Sequence, residues 1–171
     1  MEEYGKALEF MLKAITIREK ILPDNHPDLA ASYNNVGNTY RILGDLKKAL
    51  DFHLKAFEIW QNILPQNHPN IATSCSHIAF TLGKMSRFSE AMPYIQQAVT
   101  IAECSLPDGQ PDLANYREVM DYLNFAYHFR KRASTSTTPS FDPSPNGAAL
   151  PAAPFFHFLI HFYCKKFGDA L

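Results

Sequence analysis

Residues 33–64 read YNNVGNTYRILGDLKKALDFHLKAFEIWQNIL, and their pattern decides the fold. Tyr33, Val36, Gly37 and Tyr40 fall at i, i+3, i+4 and i+7, one face of a helix. Gly44 is placed to end that helix, because glycine takes the left-handed cap conformation without a Cβ clash. Asp45 comes next, with a side chain able to accept from the free N–H groups of a following first turn. From there Leu46, Ala49, Leu50, His53, Ala56, Phe57, Trp60, Ile63 and Leu64 return at spacings that put them on one helical stripe. Pro65 and Asn67-His68-Pro69 break the chain, and Pro69 is tolerable at a helix start, where its missing N–H costs nothing. The stretch is therefore two helices back to back, joined at Leu43-Gly44-Asp45.

The unit recurs on both sides. Ile21-Leu22-Pro23-Asp24-Asn25-His26-Pro27 returns as Ile63-Leu64-Pro65-Gln66-Asn67-His68-Pro69, and a weaker copy, SLPDGQPDLA, starts at Ser105. Pro23, Pro65 and Pro107 set the period at 42 residues, and the same offset carries Ala7 to Ala49 to Ala91, Ala14 to Ala56 to Ala98, and Ile17 to Ile59 to Ile101. A fixed period of this length means stacked units that share one continuous core.

Tyr33-x-x-Val36-Gly37-x-x-Tyr40, followed by Gly44, Ala49 and Ala56, resembles the tetratricopeptide repeat. His53 stands where that family usually has an aromatic residue. The 42-residue period and the phrase LP-x-NHP-x-[LI]A resemble the kinesin light chain subtype of the repeat. The resemblance covers residues 2–130 and implies an all-α, right-handed superhelical solenoid of antiparallel helix pairs. It implies protein–protein interaction and no particular partner. No heptad region of the kind that would join a motor is present to support kinesin association.

The period divides the chain into six segments: residues 1–22, the second helix of a truncated first repeat; 23–64, a complete unit; 65–106, a second, degraded unit; 107–132, a terminal capping helix; 133–154, a linker; and 155–171, an apolar tail. In the opening helix the stripe Tyr4, Ala7, Leu8, Met11, Ala14 and Ile15 is expected to lack the partner that normally covers part of it. Either the chain is a fragment or incomplete gene product, or another chain covers that face. In the degraded unit Cys75, Ile78, Ala79 and Leu82 take the first helix's packing positions, and Phe88, Ala91, Met92, Ile95, Ala98, Val99 and Ala102 the second's. Pro93 predicts a helix start near Arg87 or Ser89, so that the proline stays in the first turn. In the last helix a shifted stripe, Tyr116, Val119, Met120, Leu123 and Tyr127, carries the apolar face, while the unit's usual packing positions hold Arg117, Met120, Asp121 and Asn124. Residues 133–154, rich in Ser, Thr, Pro and Ala, read as disordered. The apolar run Phe155–Cys164 is too short to span a bilayer. It is either a docking tail or a mispredicted exon.

Composition excludes several function classes. The 171 residues are 46% hydrophobic and carry a formal net charge of −1, so no basic stripe invites nucleic acid or an anionic membrane surface. Three widely spaced cysteines, Cys75, Cys104 and Cys164, form neither a disulfide framework nor a zinc spacing. A reducing, intracellular compartment, the cytoplasm, is the simpler expectation. MEEYGKALEF is not a signal peptide. His26 and His68 sit in equivalent loops, each between Asn and Pro, which is helix-start grammar rather than metal ligation. His157 and His161 lack the Glu of a zinc-protease helix. With no phosphate loop or nucleophile motif, no enzyme, cofactor or metal is expected.

What remains is surface. Beside the packing stripe, the central first helix presents Ala31, Asn34, Asn35, Asn38, Arg41 and Ile42, and the next unit presents Thr73, Ser76, His77, Phe80, Gly83 and Lys84. If first helices line the concave side, as the resemblance implies, Asn34, Asn35, Asn38, Arg41, Ser76, His77, Phe80 and Lys84 are the candidate peptide groove. Asparagine amides both donate to and accept from an extended backbone. Arg41 and Lys84 can meet carboxylates, and Phe80 can supply an apolar anchor. The alternative is that the asparagines only solvate a helix face or bridge neighbouring helices. The expected partner is a protein or peptide, with self-association through the uncapped first helix as the rival reading.

Overall fold

The computed structural model describes residues 2–105 and 111–135; the expectations for 136–171, which cover most of the linker and all of the apolar tail, lie outside them. Six helices run in order: α1 Glu2–Ile21, α2 Pro27–Ile42, α3 Leu46–Ile63, α4 Pro69–Lys84, α5 Phe88–Ser105 and α6 Pro111–Thr135. No strand occurs among the described residues. Each helix packs on the next, so the architecture is an all-α solenoid of antiparallel pairs, α2 with α3 and α4 with α5. α6 runs to Thr135, since nothing in Ala133-Ser134-Thr135 breaks a helix.

Local chemistry sets the joints. Gly44 ends α2 at φ +86°, with its N–H donating to the Arg41 carbonyl and the Asp45 N–H to the Tyr40 carbonyl. That is the paired-bond C-terminal cap in which a left-handed glycine suits the turn. One period later Ser86 takes the same role at φ +58°, and the Ser86 and Arg87 N–H groups reach the Gly83 and Leu82 carbonyls. A residue with a Cβ is strained there. Asp45 caps α3 by accepting from the Lys48 N–H at 3.1 Å. His26 and His68 are the N-caps of α2 and α4, where Nδ1 accepts from the Asp28 and Asn70 N–H groups, each at 3.1 Å. Pro27 and Pro69 then occupy the first helical positions.

The core follows the stripes. Tyr33, Val36, Ala49, Ala56, Ile59 and Trp60 are buried in the central unit, and Cys75, Ile78, Ala79, Ile95 and Ala98 in the next. Tyr116, Val119 and Leu123 bury α6 against the α4–α5 pair. α5 starts at Phe88, between Arg87 and Ser89 as expected, with the Arg87 carbonyl accepting from the Glu90 and Ala91 N–H groups. Two other expectations need correction. Pro93 thus falls in the second turn, and the Ser89 carbonyl gives up its internal donor. In α1, Leu8, Met11, Leu12 and Ile15 do pack on the core, and Met11 Sδ accepts from Thr39 Oγ1. The stripe left bare is one step round the helix: Phe10 is 69% exposed, Ile17 60% and Ile21 70%.

Candidate functional site

The eight candidate groove residues lie on the surface shared by α2 and α4, and the structure sorts them. Asn34 is committed to bridging: its Nδ2 donates to Ser74 Oγ at 3.2 Å, and its Oδ1 lies 3.4 Å from His53 Nδ1. Asn35 is exposed, with its carbonyl accepting from Thr39 Oγ1 at 2.9 Å. Asn38 Oδ1 accepts from Arg41 Nη2 at 3.4 Å. The Arg41 guanidinium lies over the Phe80 ring at 5.0 Å from its centroid, and the Lys84 ammonium lies over the same ring at 5.7 Å. Phe80 is therefore a cation-binding plate at the seam between two repeats. Arg41 is half-buried and has no ion pair among the described residues. Burial lowers its pKa from the ordinary arginine value. Ser76 is half-buried on the same helix face.

Below this surface lies a pair of imidazoles. His53 is fully buried, and its ring centroid is 5.1 Å from that of His77. Burial, His77 and Arg41 push the His53 pKa down to about 3, and burial and Arg41 push His77 down to about 4. Both rings are neutral at pH 7, and His53 Nε2 and His77 Nδ1 have no hydrogen-bond partner among the described residues. Gly37 makes the space: a Cβ there would stand 2.7 Å from His53 Cε1 and Nδ1. The sequence placed His53 on the packing stripe and His77 in the groove, and their contact was missed. The signal was available, since residue 53 faces the only glycine among the matching first-helix positions Gly37, Ala79 and Asp121.

α6 closes part of the surface. Thr73 Oγ1 is 3.1 Å from the Tyr116 hydroxyl, and Gly83 is buried against Leu123, whose Cδ2 would be 2.6 Å from a Cβ at residue 83. Neither Thr73 nor Gly83 is open groove. On the other side of the solenoid a crevice of about 550 Å³ opens between α3 and α5, lined by Gln61, Gln66, Ile71, Gln97 and Ile101. A second, of about 320 Å³, lies between α1 and α3 at the matching positions Glu19, Asp24, Leu29, Lys55 and Ile59. Recurrence at the repeat offset with changed chemistry marks these as gaps left by stacking second helices, so the α2–α4 surface is the better candidate. No group of three or more metal-ligating side chains occurs among the described residues.

A tetratricopeptide repeat family model matches residues 1–62 and 28–103. No curated protein sequence matches the chain. Among solved structures, a Podosopora anserina protein described as a kinesin light chain with nearly identical TPR-like repeats is 21% identical, with a TM-score of 0.63 over 78% of this chain and 63% of that one. A point variant of the same protein is 18% identical, with a TM-score of 0.64 over 96% of this chain and 69% of that one. BtubC (BKLC) from P. vanneervenii is 17% identical, with a TM-score of 0.60 over 89% of this chain and 65% of that one. At these identities the likeness is one of fold. The chain spans roughly two thirds of each solved chain's length. No helix of the described residues is long and apolar enough to cross a membrane.

Proposed function

This chain belongs to the tetratricopeptide repeat family, and from that premise we propose that it is a non-catalytic scaffold or adaptor module of the cytoplasm that binds a peptide segment of a partner protein across α2 and α4. Repeats of this fold are in general interaction modules. The observation that carries the reading is Arg41: a half-buried cation, held by Phe80 and Asn38 and lacking an ion pair among the described residues. Desolvating a guanidinium without a counter-charge is unfavourable unless something later meets it. Asn35 stands exposed one turn and a half before it, with an amide able to pair with an extended backbone. Ser76, Phe80 and Lys84 complete the surface from α4, with His77 beneath it against His53. Asn34 contributes by positioning, since its amide is spent on Ser74 and His53.

The test is selection of binding peptides from a displayed random library on the purified full chain, followed by fluorescence anisotropy. Arg41→Ala, and separately Asn35→Ala with Asn38→Ala, should weaken an enriched peptide about tenfold, the loss of one to two hot-spot contacts. Melting temperatures should change little. Equal binding by wild type and both variants would remove the groove assignment.

A second reading, self-association through α1, is favoured by the bare stripe of Phe10, Ile17 and Ile21. It does not compete with the first, because that stripe lies on α1 while the candidate groove lies on α2 and α4.

A further inference from the structure

The seam of α2 and α4 presents more donors than acceptors. Arg41 is half-buried over Phe80, its guanidinium 5.0 Å from the ring centroid and in no ion pair among the described residues. Lys84 brings a second cation to the same ring at 5.7 Å. Asn38 accepts from Arg41 through Oδ1, so what its amide still offers is the N–H pair. Asn34 is closed at both ends, its Nδ2 on Ser74 and its Oδ1 facing His53. Ser76, one turn before Phe80, adds a hydroxyl. The imidazoles underneath add no charge at pH 7, because burial and Arg41 hold His53 and His77 neutral.

The two helices do not supply the missing charge. α4 contains no Asp or Glu, and the one acid of α2 is Asp28, in the first turn at the opposite end of the helix from Arg41. At the joint that follows, Asp45 is paired with Lys48 at 2.9 Å, and Glu58 of α3 lines the crevice on the other side of the solenoid. On α6, Glu118 and Asp121 stand at the repeat offsets of Ser76 and Ala79, so the cationic character ends at α4. The seam is a bounded patch of two cations, a hydroxyl and amide donors around one aromatic ring.

We propose that this patch receives a phosphorylated side chain of the partner peptide, with the phosphate at the rim of Phe80 between Arg41 and Lys84. This rests on the α2–α4 groove reading and names the group that the groove selects. A phosphorylated residue carries about −1.5 to −2 charge at pH 7 on three strong acceptor oxygens, which matches two cations and a surplus of donors. A single carboxylate brings one charge and two oxygens, half of the charge that the two cations carry. The Arg41 fork takes two phosphate oxygens at once, and Lys84 acts as a point charge on the third. Phe80 suits both signs: the cations lie over its negative face, and the anion meets its positive edge. Half-buried, Arg41 is less screened by salt than an exposed cation. Asn35, exposed one turn and a half earlier, is left to hold the peptide main chain.

The experiment is fluorescence anisotropy on the full chain with three degenerate fluorescein-labelled peptide pools, alike except for a central phosphoserine, serine or glutamate. A peptide enriched by display selection is the fourth probe, since it reports the groove without the phosphate. The phosphoserine pool should bind at least about tenfold more tightly than the serine pool and about threefold more tightly than the glutamate pool. Arg41→Lys, which keeps the charge and loses the fork, and Lys84→Met should each cut the phosphoserine-to-serine ratio at least about fivefold. Circular dichroism melts should match wild type, because both side chains lie at the surface of their helices. Equal binding of the phosphoserine and serine pools, a glutamate pool as tight as the phosphoserine pool, or a preference that both variants keep overturns the phosphate site. If the enriched peptide still weakens on Arg41→Ala in those cases, the groove reading stands without it. An enriched peptide indifferent to Arg41→Ala removes the groove reading and the phosphate site together.

Discussion

Replacing Gly37 with alanine tests the packing beneath the candidate surface. In a helix interior the change alone stabilises by about 1 kcal/mol, because alanine loses less backbone entropy. Here the new Cβ would meet His53 Cε1 and Nδ1 at 2.7 Å and Cγ at 3.1 Å. Ordinary carbon contacts lie near 3.5–4.0 Å, so the ring must retreat by about 1 Å. It has nowhere open to go: His53 is 0% exposed, His77 lies beside it, and Asn34 Oδ1 is 3.4 Å from its Nδ1. Overpacking of this kind costs about 1–3 kcal/mol and outweighs the propensity gain in most of that range. The net expectation is destabilisation of up to about 2 kcal/mol, or a Tm lowered by at most roughly 10 °C in a domain of this size. The next repeat holds Ala79 and Ile95 at the matching positions. Gly37→Ala combined with His53→Ile copies that pairing and should recover most of the loss, a coupling of about 1–2 kcal/mol. Thermal and urea unfolding of the four proteins measure it. A Gly37→Ala protein more stable than wild type, or a double variant equal to the sum of its singles, would refute the clash.

Two further outcomes follow from the joints and the imidazole pair. Ser86→Gly should stabilise by about 0.5–1 kcal/mol, read as a raised urea midpoint, because φ +58° strains a residue with a Cβ and glycine occupies the matching turn at Gly44. For pH, the folded-state values of His53 and His77, about 3 and about 4, lie below the ordinary 6.5 of an unfolded histidine. Between pH 6.5 and 4 the unfolded chain therefore binds protons that the folded chain refuses, so their stabilising effect is complete above pH 6.5 and is lost as pH falls. His53→Met with His77→Asn, the residues that neighbouring repeats use at those positions, should flatten the fall in Tm over that window; an unchanged slope would remove the pair as its cause.

The repeat was legible because its signals are local. Prolines at fixed spacing, Gly44 before Asp45, and the Tyr33-Val36-Gly37-Tyr40 stripe each depend only on neighbours within one helical turn or one period. Identity of the caps was harder: the usual N-caps are Ser, Thr, Asp and Asn, so His26 and His68 read as helix-start grammar without being picked out as the capping side chains. Pro93 was expected in the first turn, but the Ser86 turn hands the helix start to Phe88 and leaves the proline in the second. The surface was least legible, since its chemistry depends on which helix lies alongside. Asn34 looked like Asn38 in sequence, yet one meets Ser74 and His53 while the other meets Arg41. Thr73 and Gly83 looked open until α6 packed Tyr116 and Leu123 onto them. In α1 the stripe expected to be bare included Leu8 and Met11, which α2 covers; the offset of Ile17 to Ile59 already marked the face that stays exposed.

The claim at the centre of this account is that partner recognition belongs to the seam of α2 and α4 rather than to the crevices between second helices. Amide NMR of the labelled full chain, titrated with an enriched peptide, reads that location directly. The account predicts shifts concentrated at Asn35, Asn38, Arg41, Ser76 and Phe80. Shifts concentrated at Gln61, Gln66, Gln96 and Gln97, with the Arg41 seam unmoved, would contradict it.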